Sequence, residues 1–165
     1  MKSTRLLLSV AALSAGLITS GGARAEDWKP VSQAGFLSVG KAYEIEKGHF
    51  YWVGEFSGTF FNDKEKGLFD HAGVKCPGYY DFDLNSKKTK GGGFCTVTDL
   101  DGDQAFLTWQ GAGTVGLGEP FVGSTLDYTG GTGKYKEIKG HNTFVARTLV
   151  NWPDGTSSFY STWNR

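Results

Sequence analysis

The acidic run Asp99-Leu100-Asp101-Gly102-Asp103 sets three carboxylates at alternate positions. Oxygen ligands in that spacing suit calcium, so Asp99, Asp101 and Asp103 are candidates for an irregular calcium site. An EF-hand loop would need glycine at its sixth position and glutamate at its twelfth, where this chain has Gln104 and Gln110. The plainer reading is an acidic hairpin tip turned at Asp101-Gly102. Gly130-Gly131-Thr132-Gly133-Lys134 clusters backbone N–H groups of the kind that cradle anions. It is not a nucleotide loop, because Tyr128 stands where a Walker motif has its first glycine and Tyr135 follows the lysine.

Acid–base chemistry has few candidates. Asp70 shares strand parity with Ala72, Val74 and Cys76, so on a buried face it would need a partner, for which Arg147 is the candidate. An exposed Asp70 and an exposed Arg147 are the simpler expectation. Asp81 and Asp83 fall on one strand face, opposite Tyr80, Phe82 and Leu84, and read as an acidic surface. His49, His71 and His141 show no metal-ligand spacing, and there is no serine nucleophile elbow. Cys76 and Cys95 are the only thiols, without a C-x-x-C pattern, and are expected to form one structural disulfide. Closing a ring of that size stabilises by roughly 3 kcal/mol in the chain-entropy model. No cofactor is expected.

The elements that must position these residues read as strands. The 165 residues include 25 glycines, 12 Phe, 7 Tyr and 5 Trp against 4 prolines, and no stretch holds an i, i+3, i+4 apolar pattern over three turns. Nine candidate strands lie at 36–47, 49–61, 68–76, 79–84, 93–98, 105–112, 120–128, 142–152 and 156–163. In the run 49–61, Phe50, Trp52, Phe56 and Phe60 share one face with Gly54 and Gly58 between them. Glycines among bulky residues let a strand bend at the corners of a small closed barrel. Asp101-Gly102 and Asp154-Gly155 mark hairpin turns. The expectation is a single all-β domain, an antiparallel barrel of about eight strands.

Residues 1–25 read as a secretory signal peptide, with Lys2 and Arg5, an apolar stretch from Leu6 to Ile18, and Ala23-Arg24-Ala25 at the cleavage site. The mature domain is then 26–165, exported to a periplasmic or secreted location and not inserted in a membrane. The full chain balances 17 Lys+Arg against 17 Asp+Glu, and loss of Lys2, Arg5 and Arg24 makes the mature part mildly acidic. Neither state suits a nucleic-acid binder.

The segment 124–146, with Gly130, Gly131, Thr132, Gly133, Tyr135 and Gly140, resembles the turn that joins two long strands in the allene-oxide-cyclase and dirigent type of small β-barrel. Glu137 stands where that pattern has a middle glycine. The stretch 76–111 is similar to exported bacterial proteins of unknown function with the same barrel segment. The resemblance implies an eight-stranded, calycin-like barrel, often trimeric among plant members, that holds or steers small apolar compounds. Three functions follow as expectations. The first is a non-enzymatic barrel binding a small apolar or aromatic ligand through Trp52, Phe56, Phe60, Trp109 and Tyr128. The second is a cyclase or isomerase acting in the lumen, with Glu55, Asp70 and Arg147 as the groups to test. The third is a structural protein, or a homo-oligomer joined through the Tyr51/Val53 face.

Overall fold

The computed structural model describes residues 32–62 and 69–164, so the expected signal peptide lies outside the described residues. Eight strands run in order: β1 (Ser32–Glu46), β2 (His49–Asn62), β3 (Gly73–Asp83), β4 (Lys88–Thr98), β5 (Gln104–Thr114), β6 (Pro120–Gly131), β7 (His141–Asn151) and β8 (Ser157–Asn164). Each pairs antiparallel with the next, and β8 returns to β1 to close the barrel. One short 3-10 turn, Gly133–Tyr135, interrupts the connection from β6 to β7. Among the described residues no helix is long and apolar enough to cross a membrane.

The expected nine runs become eight strands because 79–84 and the latter part of 68–76 are one strand. Pro77 cannot donate to a ladder, yet β3 continues through it, pairing Pro77 with Glu55 and Gly78 with Gly54 on β2. The start of the expected run is a turn at residues 69–71, and β3 begins only at Gly73.

Alternation decides what faces inward. Along β2 the aromatic face points into the barrel: Phe56 and Phe60 are buried, while Tyr51, Val53 and Glu55 lie outward. Rings then interlock inside the barrel, with Phe36 stacked on Phe159 of neighbouring β8 at 4.7 Å and Phe56 edge-on to Trp109 of β5, across the lumen, at 5.6 Å. An eight-stranded barrel has an interior that side chains can fill, and here the middle is filled. Cys76 and Cys95 face each other across β3 and β4, Cα atoms 4.1 Å apart and sulfurs at bonding distance, both buried in this core. On β6 the register with β7 shifts between Phe121 and Ser124, so both of these residues turn inward, three apart.

Strand direction sorts the connections into two ends. One end carries the β2–β3, β4–β5 and β6–β7 connections; the other carries the four hairpin tips 47–48, 84–87, 115–119 and 152–156.

Candidate functional site

The first end is plugged. Phe60, Phe69, Ala72, Val97, Ala105, Tyr135 and Trp163 are all buried there, with Phe69 5.9 Å from the Phe60 ring and 5.4 Å from that of Tyr135. Over this plug the two sequence motifs meet. Asp99 Oδ1 accepts from the backbone N–H groups of Asp101 and Asp103, closing the acidic turn on itself. Asp103 Oδ2 accepts from the Lys134 backbone N–H at 3.0 Å. The Lys134 ammonium lies 2.6 Å from Asp99 Oδ2 and 2.7 Å from Asp101 Oδ2. Two of the three calcium candidates, Asp99 and Asp101, therefore hold a cation that the chain itself supplies, while Asp103 holds the backbone of the same lysine. Among the described residues no three His, Cys, Asp or Glu side chains are grouped to hold a metal.

The glycine turn does receive an anion, and the anion is Asp103. Gly133 has φ +46, and a Cβ there would run into the Asp103 carboxylate. Thr132 adds a reciprocal pair, its N–H donating to Gln104 O and its Oγ1 accepting from the Gln104 N–H. Lys134 holds the Asp99 carboxyl below the ordinary carboxylate range, and its own pKa rises beside Asp101 and Asp99. Burial, then the contact with Asp99, pushes the Tyr135 phenol up to about 12.

The acid–base candidates are scattered. Glu55 sits on the outer surface, where Ser57 donates to it and Lys75 lies 3.3 Å away; the Ser57 bond foremost lowers its pKa. Asp70 is on the turn at the plugged end, 2.9 Å from His71 Nδ1, between Phe69 and His71 with φ of +64 and +55. Those two left-handed residues reverse the expected parity, so Phe69 enters the core in place of Asp70. Arg147 lies at the opposite end, its guanidinium donating to the Gly118 carbonyl at 2.8 Å. It is not the partner of Asp70, and the three groups do not form one site.

That opposite end is open. A cleft of about 510 Å³ enters the barrel between the β5–β6 and β7–β8 tips. Its floor is Phe56, Tyr80, Phe121 and Phe159, and its wall is Trp52 with Phe82. Trp52 stacks on Phe56 at 4.9 Å, and Tyr80 sits 5.2 Å from Phe121. Trp52 can lie flat because its ring covers Gly40 and Gly54, whose missing side chains would occupy the same space. Hydroxyls edge the apolar floor: Ser38 and Ser157 share a hydrogen bond, and Thr89, Thr114 and Thr148 follow. Burial raises the Tyr80 phenol, which keeps it protonated and able to donate. Below the floor, Trp109 lines a gap of about 30 Å³, and its buried Nε1 has no hydrogen-bond partner.

Of the five expected ligand residues, Trp52 and Phe56 line the cleft and Trp109 lies beneath it. Phe60 belongs to the plug, and Tyr128, whose hydroxyl accepts from Asn142 at 2.9 Å, packs there against Phe69. Sequence reasoning missed Tyr80, Phe82, Phe121 and Phe159 as lining residues. Tyr80 and Phe82 were readable, since they share the face opposite Asp81 and Asp83. Phe121 was not, because the irregular register of β6 breaks its parity. Compared with models of protein families and with curated proteins, the chain matches none of either, so the cleft itself has to carry the functional argument.

Proposed function

We propose that this chain is an exported small β-barrel that takes a small apolar or aromatic ligand into the cleft at its open end. The observation that carries the reading is a cleft of about 510 Å³ with an aromatic floor, beside a plugged opposite end. Small-molecule sites occupy roughly 300–1,000 Å³, mostly apolar with a few placed polar groups, and the hydroxyl edge and Tyr80 supply those groups here. The signal-like residues 1–25 and the bonded cysteines support export to a periplasmic or extracellular compartment. The glycine turn 130–133, linking two long barrel strands, supports kinship with allene-oxide-cyclase and dirigent barrels. A fluorescence titration with the neutral dye N-phenylnaphthylamine tests the cleft. Binding should weaken about ten-fold in Trp52→Ala and in Phe82→Ala, roughly 1.4 kcal/mol each. Absence of saturable binding by the intact protein would overturn the proposal.

A second reading, a homo-oligomer, rests on β1. Strand β8 pairs with β1 only over Ser32–Ser38, so the rest of β1 has one neighbour, β2. Beside that open edge Val39, Tyr43, Ile45 and Val53 are all about half exposed. Strand edges of this kind template pairing with another chain, and a second copy is the occupant this reading commits to. Sedimentation velocity of wild type and Tyr43→Lys decides it: a dimer or higher species lost on substitution supports it, and a concentration-independent wild-type monomer removes it.

A further inference from the structure

The rings that carry a polar atom divide between the two ends of the barrel. At the plugged end three such atoms are engaged: Trp163 Nε1–H donates to Ser161 Oγ at 2.8 Å, the Tyr128 hydroxyl accepts from Asn142, and the Tyr135 hydroxyl donates to Asp99. Beneath the cleft two are not. Trp109 is 6% exposed, and its Nε1 is sealed from solvent with no hydrogen-bond partner among the described residues. The Tyr80 ring lies among those of Trp52, Phe56, Trp109 and Phe121, with all four centroids within 6.1 Å. Its hydroxyl takes part in no hydrogen bond among the described residues, and burial alone raises its pKa. Unlike the Trp109 nitrogen, the Tyr80 oxygen is not sealed: it opens on the space that Tyr80 lines, the cleft above and the gap of about 30 Å³ below.

That leaves the floor short of an acceptor. An indole N–H can only donate, and the protonated phenol beside it has its hydrogen free to give. Buried Tyr and Trp usually find partners for these atoms, because a donor left unmet in apolar surroundings is costly. The hydroxyls at the cleft edge are engaged elsewhere: Ser38 and Ser157 bond each other, and Thr89 donates to Asp81 O at 3.2 Å. Gly91 keeps the Tyr80 ring in place, since a Cβ there would run into its Cδ1 and Cε1 edge. A ligand alcohol or amine would bring one more donor to a floor already in excess of them, whereas a carbonyl brings only an acceptor.

We infer that the ligand class is a flat aromatic ketone or quinone, its ring on the aromatic floor and its carbonyl oxygen accepting from the Tyr80 hydroxyl. This rests on the reading that the cleft takes an apolar ligand. Two neutral dyes separate the two claims: N-phenylnaphthylamine, which has no acceptor oxygen, and 6-propionyl-2-(dimethylamino)naphthalene, a ketone whose emission moves to the red when its carbonyl accepts a hydrogen bond. Tyr80→Phe keeps the ring and removes only the hydroxyl. It should weaken the ketone about ten-fold and move its bound emission to the blue, while amine affinity stays within about two-fold of wild type and so reports an intact cleft. Because that hydroxyl has no partner in the free protein, the urea midpoint of Tyr80→Phe should equal or exceed that of wild type. If the amine binds but the ketone does not, if Tyr80→Phe leaves ketone affinity and emission unchanged or weakens both dyes alike, or if its urea midpoint falls, the ligand class is wrong and the cleft reading stands. If neither dye binds the wild-type protein, both fall.

Discussion

The two ends of this barrel are built from the same strands and differ in what their connections contribute. At the plugged end the connections send side chains inward: Phe69 from the β2–β3 turn and Tyr135 from the 3-10 turn both enter the core. Asp103 and Lys134 then tie two connections together across 31 residues of sequence. At the open end the tips turn back with residues that satisfy themselves, as Asp154 does by accepting from Thr156, and they leave the aromatic floor uncovered. The connections thus pack one end shut and leave the cleft floor accessible at the other.

The largest test of that contrast is packing. Phe60 is fully buried in the plug, and Phe60→Ala should cost about 3–5 kcal/mol in urea or guanidinium unfolding. Phe82, half-buried at the mouth and stacked on Phe50 at 5.4 Å, should cost only about 1 kcal/mol on the same change. Equal losses would mean that both ends share the structural load and that the cleft is not a dispensable space.

A smaller effect separates the ends by acid. Lys134 depresses the Asp99 pKa below its ordinary 3.8. A carboxylate depressed in the folded state contributes stability above its unfolded pKa and loses it as the pH falls through the folded value. Wild type should therefore lose plugged-end stability below about pH 4, and Asp99→Asn should be less stable at neutral pH with a flatter acid limb. Parallel acid limbs for wild type and variant would remove Lys134 and Asp99 as the latch.

Legibility followed the range of the interaction. The aromatic face of β2 was plain, because period-two alternation and Gly54 and Gly58 set among Trp52, Phe56 and Phe60 are local facts. So was the pairing of Cys76 with Cys95, given only two thiols. That 99–103 and 130–134 are turns was legible, but that they meet was not, since only folding sets Lys134 against Asp99. The parity around Asp70 was not legible for a local reason: two non-glycine residues with positive φ reverse it, and neither Phe69 nor His71 advertises that conformation. The cleft was half visible, through Trp52 and Phe56, while Phe121 depended on a register shift in β6 that no spacing rule shows.

The smallest effect lies on the outer wall of the open end. His49 Nε2 is 2.6 Å from Asp81 Oδ1, and Lys90 lies 3.4 Å from the other oxygen of that carboxylate. The hydrogen bond to Asp81 raises the His49 pKa above its ordinary 6.5, and the same bond lowers that of Asp81. An imidazole raised in the folded state contributes stability below its unfolded pKa and loses it as the pH rises through the folded value. Above that point the β2–β3 wall should loosen while the plug does not, because the Lys134 pKa is raised beyond that of an ordinary lysine. Amide protection factors between about pH 6 and pH 9 read the difference: they should fall around His49, stay level across 99–103, and lose their pH dependence around His49 in Asp81→Asn. If the His49 ring protons instead titrate at or below 6.5 by NMR, the ion pair adds nothing to this wall. The two ends would then differ in packing and in their response to acid, but not in their response to base.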